Sequence, residues 1–211
     1  MKTVEVVPYG NEGLSFLLRW ENPDDFHSLI SNLDTELLHS PFSGLIEYVL
    51  GFQSLLCIFE RPQMNEEILD WAKSLSAGEP SPTVTHQIPV YYEGPDLEYF
   101  SKALGRTPEE VIQLHSQTTY TVYHLGFAPG FPYLGPLAQE LHLPRKAQPK
   151  TRIAPGSVAI GGSHTGIYTI ESPGGWHVIG KTDYPLFSPD LDSVESFTLK
   201  AGDHIQFEPV K

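Results

Sequence analysis

From Thr119 to the end the chain is written in short β-prone words, YTVYHLG, SVAIGG, GIYTIES, WHVIG, SFTLK and HIQFEP, separated by glycine and proline. Glycine and proline between such runs prevent their fusion into helices, and a series of short strands with turn signals predicts a closed or nearly closed β-barrel. Its densest part is Leu125 to Thr182, where aromatic, basic and glycine-rich blocks follow one another. In GFAPGFPYLG, Gly126, Gly130 and Gly135 permit positive φ, while Pro129 and Pro132 fix φ and remove donors. Phe127, Phe131 and Tyr133 therefore stand on a stiff loop, and stiff aromatic loops make binding walls.

The first half reads differently. Val4 to Tyr9 and Leu14 to Trp20 are strands around the turn YGNEG, followed by a helix near Pro23 to Asn32. Leu45 to Val49 and Ser54 to Phe59 form a second strand pair, and Asn65 to Leu75 a helix with Ile68, Leu69, Ala72 and Leu75 on one side. The order ββαββα predicts an α+β domain of ferredoxin-like size over residues 1–78. SAGEPSPTVTH has no periodicity and reads as a linker, placed at 79–86, which leaves 87–211 for the barrel domain. That domain opens with a strand at Ile88 to Tyr92 and a helix, DLEYFSKALG, closed by Gly105. A second helix follows in TPEEVIQLHS, where Thr107 caps, Pro108 starts and Glu110 completes a capping box.

Charge narrows the partners. With 13 Lys and Arg against 26 Asp and Glu the chain carries a formal −13, so nucleic acid and anionic membrane surfaces are expected to be repelled. MKTVEVVPYG has no apolar stretch of signal-peptide length and no segment suits a membrane span, which predicts a soluble, cytoplasmic chain. The single cysteine, Cys57 in SLLCIFE, excludes an internal disulfide and reads as a buried small hydrophobe. Against the acidic background, Arg145, Lys146, Lys150 and Arg152 stand out as a basic cluster suited to a small anion, although a solvated basic loop would have the same sequence.

Other candidates are single residues. His124 shares a strand face with Tyr120 and Val122 and immediately precedes the aromatic loop, so it is either a pocket-mouth base or a hydrogen-bonded barrel histidine. His164 lies in the glycine-flanked GGSHTG, where a ligand could approach the backbone, or it is an exposed turn histidine. Tyr168 and Glu171 are expected on opposite faces of one strand, Pro173-Gly174-Gly175 turns the chain, and Trp176 begins the strand leading to Lys181. Trp176 alone reads as a core cap; with Phe131, Tyr133 and the arginines it suggests a shared pocket. No metal-ligand spacing, G-x-S-x-G elbow or phosphate loop occurs, so no structural metal or self-sufficient ATP chemistry is expected.

IPV at 88–90, GPDL at 94–97, TPEEVIQLHS, GFAPGFPYLG, TRIAPGSVAIGG and ESPGGWHVIGKT together resemble the allophanate hydrolase subunit 1, or KipI-like, family. That family includes the B-type subunit of prokaryotic 5-oxoprolinase and a carboxyltransferase subdomain of urea carboxylase. The resemblance implies a ferredoxin-like N-terminal domain followed by a cyclophilin-like β-barrel. It also implies a heteromeric enzyme in which this chain and a homologous C-type partner use ATP, with Mg2+, to activate 5-oxoproline before an A-type partner completes ring opening to glutamate. Phe131, Tyr133, Arg145, Arg152, His164, Tyr168, Glu171, Trp176 and Lys181 would then face substrate or nucleotide. The KipI name implies an alternative partner, a sensor histidine kinase that the chain would inhibit. The chain departs from the family pattern in having only YYE between IPV and GPDL, His164 where glutamine is usual, and Lys181 where arginine is common.

Overall fold

The computed structural model describes residues 2–20, 29, 32–33, 36–61, 66–75, 82–188 and 197–210. Most of the helix expected near 23–32, and residues 79–81 of the linker, lie outside the described residues. The chain separates into two compact units, Met1–Pro82 and Thr83–Lys211.

In the first unit, strands β1 (Lys2–Tyr9), β2 (Gly13–Trp20), β3 (Leu45–Gly51) and β4 (Ser54–Phe59) form one sheet in the order β1-β2-β4-β3. Alternation assigns its inner face: Leu14, Phe16 and Leu18 on β2 and Leu55, Cys57 and Phe59 on β4 are buried. Helix α1 (Glu66–Ser74) covers that face with Ile68 and Ala72, and Trp71 meets Phe16 edge-on at 5.4 Å. Burial pushes the Cys57 thiol up to about 12, consistent with a packing residue.

The expected ferredoxin-like α+β domain is corrected here. That topology joins its first two strands by a helical crossover and places the first strand inside the sheet, whereas here β1 pairs β2 directly as a hairpin and lies at the edge. The chain is mainly β with few helices, and its dominant feature is a seven-stranded closed barrel. Pairing order is set by which faces bury together, which linear periodicity does not encode.

The barrel is built from β5 (Thr85–Tyr91), β6 (Thr119–Leu125), β7 (Pro132–Gly135), β9 (Ser157–Gly161), β10 (His164–Ile167), β12 (His177–Lys181) and β13 (His204–Val210). β5 begins inside the segment expected as linker and pairs in parallel with the last strand, β13. β8 (Lys150–Ile153) and β11 (Ser172–Gly174) form a separate two-stranded ribbon. Helices α2 (Leu97–Ala103) and α3 (Pro108–Ser116) add Phe100 and Val111 to the barrel core. The capping box forms as read: Glu110 N–H donates to Thr107 Oγ1 at 3.2 Å, and Thr107 N–H to the Glu110 carboxylate at 2.8 Å. No helix among the described residues is long and apolar enough to cross a membrane.

The strand expected over GIYTIES ends at Ile167, and the proline-glycine segment expected as a turn contributes β11. Every residue of β9 is buried, on both faces. Val158 and Ile160 point into the barrel with Ile179 of β12, while Ala159 and Val178 point outward beneath Phe131, Tyr168 and Trp176. Period-two alternation on β9 and β12 therefore supplies the floor of an aromatic cluster on the barrel's outer surface.

Candidate functional site

The loop before β7 is two linked turns. Phe131 N–H bonds Ala128 C=O at 3.0 Å across Pro129 and Gly130, and Gly130 has φ +70°, the positive value a type II turn requires at its third position. Immediately before it, Ala128 N–H bonds Gly126 C=O at 2.8 Å, a γ-turn whose central residue, Phe127, has φ +68°. An aromatic residue in that region costs about 1–2 kcal/mol of backbone strain. The loop is fastened by Gly126 N–H to Phe131 C=O at 3.0 Å and by Thr169 Oγ1 donating to Pro129 C=O at 2.5 Å.

These turns bury Phe131 at the centre of an aromatic set. Its ring meets Tyr133, Tyr168, Phe127 and Trp176 edge-on, with centroids 5.1, 5.2, 5.4 and 5.5 Å away. Together with Arg145, Gly174 and Gly175 they enclose a recess of about 60 Å³. Arg145 lies 5.6 Å from the centroid of the Trp176 ring, within cation–π range. A side chain at Gly174 would run into the Tyr168 hydroxyl, so glycine there lets the ribbon close over the phenol.

The electrostatics leave two polar groups uncommitted. Of the basic cluster, Lys146 and Lys150 both bond Asp96, and Arg152 bonds Glu171 through Nε and Nη2 at 2.9 and 2.7 Å. Arg145 has no carboxylate partner among the described residues. Burial raises the Tyr168 phenol above its ordinary range, opposed by the backbone N–H of Trp176, which donates to it, and by the charge of Arg145. It is a neutral phenol whose own O–H finds no acceptor among the described residues, and it lines the same recess.

Five of the nine sequence-predicted residues, Phe131, Tyr133, Arg145, Tyr168 and Trp176, thus meet in one recess. Arg152 and Lys181 line a different cleft, of about 300 Å³, together with Lys150, Glu93 and Gly94. Lys181 Nζ is 4.0 Å from Glu93 there and 5.7 Å from the Tyr91 ring centroid. Glu171 is half-exposed and tied to Arg152 rather than turned to the recess. His164 meets Tyr123 edge-on at 6.2 Å; burial, then the charges of Arg145 and His142, lower its pKa. His124 stacks behind Tyr133 at 6.1 Å, also lowered by burial, and neither histidine lines the recess.

Sequence reasoning passed over Asp96 of GPDL. Its carboxylate receives Lys146 Nζ at 2.5 Å, Lys150 Nζ at 3.2 Å and Val178 N–H at 2.8 Å. Burial raises its pKa, but Lys146, the Val178 N–H and Lys150 outweigh that and hold it below the usual carboxylate range. Asp96 anchors the loop that carries Arg145, and Lys146 N–H adds a bond to Gly175 C=O at 2.7 Å. An acid ahead of a helix was visible; its lysines lie about 50 residues away, beyond any local spacing rule. His115 was likewise missed. It is fully buried, with Nδ1 2.7 Å from Tyr92 Oη and Nε2 2.8 Å from Thr165 Oγ1.

Residues 4–197 match the carboxyltransferase domain, subdomain C and D, family. The B-type subunit of 5-oxoprolinase from Escherichia coli O157:H7 is 39% identical over 176 residues, which are 80% of this chain and 79% of that protein. Its counterpart of the same name from Haemophilus influenzae is 49% identical over 124 residues, 57% of each chain. Among solved structures, TTHA0988 superposes with a TM-score of 0.78 at 31% identity over 94% of this chain; the match spans 40% of that longer protein. The aromatic and glycine blocks that build the recess fall inside the matched span, and over nearly its whole length the chain belongs to the carboxyltransferase domain, subdomain C and D, family.

Proposed function

We infer that this chain is the B-type subunit of a 5-oxoprolinase and that the Arg145 recess receives the carboxylate-bearing lactam. The inference takes its substrate from relatives that are themselves named as B-type subunits of 5-oxoprolinase, and that designation implies partner chains. The observation that carries it is Arg145: the cation of its cluster with no carboxylate partner among the described residues, held against Trp176 at the mouth of an aromatic recess. A guanidinium suits a carboxylate, the flat faces of Trp176 and Tyr133 suit a small ring, and the Tyr168 O–H suits a carbonyl or carboxylate oxygen.

The chain's contribution is to bind and orient. The recess lining holds no serine, cysteine, aspartate or glutamate, so it offers no nucleophile or carboxylate base of its own. Nor do the described residues include three His, Cys, Asp or Glu grouped to hold a metal ion. ATP use and the ring-opening step, which consumes water and gives glutamate, therefore belong to the assembly with C-type and A-type partners. Mixing the chain with both partners should give glutamate from 5-oxoproline only when ATP is present. A complex that assembles from all three chains yet turns over no 5-oxoproline would overturn the reading.

A further inference from the structure

Phe127 is the one feature of the aromatic loop that packing does not explain. Its backbone occupies the left-handed region at φ +68°, yet its side chain is 62% exposed, so little burial offsets the strain. The ring meets Phe131 at 5.4 Å and Tyr168 at 6.2 Å, both edge-on. It also lines two cavities: the small Arg145 recess, and an open depression of about 450 Å³ bordered by Leu125, Gly126, Ala128, Pro129, Gly130 and Phe197. A residue with less bulk at this position would let the one run into the other. Glycine, with no strain at positive φ, would satisfy the turn better than phenylalanine does.

We propose that Phe127 is a specificity-determining residue, a fixed wall that limits the Arg145 recess to a five-membered lactam carboxylate. The proposal rests on the reading of that recess as the oxoproline site. The strained γ-turn keeps the ring over the recess without help from the ligand, so the wall is preformed, and the fastening bonds through Thr169 and Gly126 hold it there. The ligand's carboxylate pairs with Arg145 while its ring edge meets Phe127, so a larger ring is rejected by contact with the wall.

The test compares Phe127→Gly with the parent chain in the assembled enzyme, using 5-oxoproline and its six-membered homologue, 6-oxopiperidine-2-carboxylate. The glycine variant should keep or raise the melting temperature, because strain is relieved. The KM for 5-oxoproline should rise about tenfold, and the ratio of kcat/KM for the six-membered over the five-membered ring should rise by a similar factor. Unchanged KM and unchanged ratio in a folded variant overturn the proposal. If the glycine variant does not fold, Phe127→Leu keeps part of the bulk and should show a smaller shift of the same sign; no shift overturns the proposal equally. Arg145→Gln, measured beside them, separates the two readings. A raised KM in Arg145→Gln with no effect at Phe127 removes only the Phe127 assignment, whereas no effect of Arg145→Gln removes the recess reading and this proposal together.

Discussion

Lowering the pH from 7.5 to 5 should destabilise the parent protein by about 2 kcal/mol more than it destabilises His115→Gln, with the deficit growing to about 4 kcal/mol near pH 3. His115 is fully buried, and burial lowers its pKa from 6.5 to about 3. The hydrogen bonds fix the neutral form. Thr165 O–H donates to Ala159 C=O at 3.1 Å, so its oxygen accepts from His115 Nε2–H, and Nδ1 then accepts the Tyr92 O–H. Protonating Nδ1 would leave two donors facing each other in the barrel core, against Phe207 stacked at 4.6 Å.

The sign follows from linkage. The unfolded imidazole takes a proton below 6.5 and the folded one does not until about 3, so stability is full above 6.5 and falls as pH drops between those values. His124 and His164 shift in the same direction, but both remain in the variant and cancel in the comparison. Asp96, held low, loses its contribution only as pH falls below its ordinary 3.8, outside the 5 to 7.5 window. Urea unfolding of both proteins at the two pH values measures the difference. Parallel stability curves would show that His115 is not held neutral.

Asp96→Ala should cost about 3–5 kcal/mol, the penalty for stranding one member of a buried charge pair. The side chains of Asp96 and Lys146 are only 11% and 15% exposed, and Lys150 Nζ reaches the same carboxylate. Without the carboxylate the two lysines face each other, and the Val178 N–H loses its acceptor. Adding Lys146→Met should recover much of the loss, because removing both members of a buried pair is far milder than removing one. Chemical denaturation of the single and double variants decides the point. A single-variant loss below about 1 kcal/mol would mean the group behaves as an exposed ion pair. The same substitution should weaken 5-oxoproline turnover, since the loop freed from Asp96 carries Arg145.

What the sequence made legible was local. The capping box at Thr107, the helices either side of Gly105 and the strand at Ser54–Phe59 are each fixed by neighbours within a few residues, and they form as read. The aromatic recess was also legible in part, because Phe131 and Tyr133 sit on a loop whose turn chemistry is written in proline and glycine. The rest depended on distant partners. Splitting the basic cluster into three committed cations and one uncommitted required knowing that Asp96 and Glu171 arrive from elsewhere in the fold. The ferredoxin-like reading failed for the same reason, since the sheet order β1-β2-β4-β3 is a long-range property. Tyr168 faces the recess because it follows Ile167, which points into the barrel core, and its partners Phe131 and Trp176 arrive from distant segments.

The most direct test of the account is the Michaelis constant of Arg145→Gln for 5-oxoproline in the assembled enzyme. Loss of a charge-assisted pair with the substrate carboxylate should raise KM roughly 10–100-fold, with Arg145→Lys recovering part of it as a point charge. A KM unchanged in Arg145→Gln would contradict the assignment of the recess.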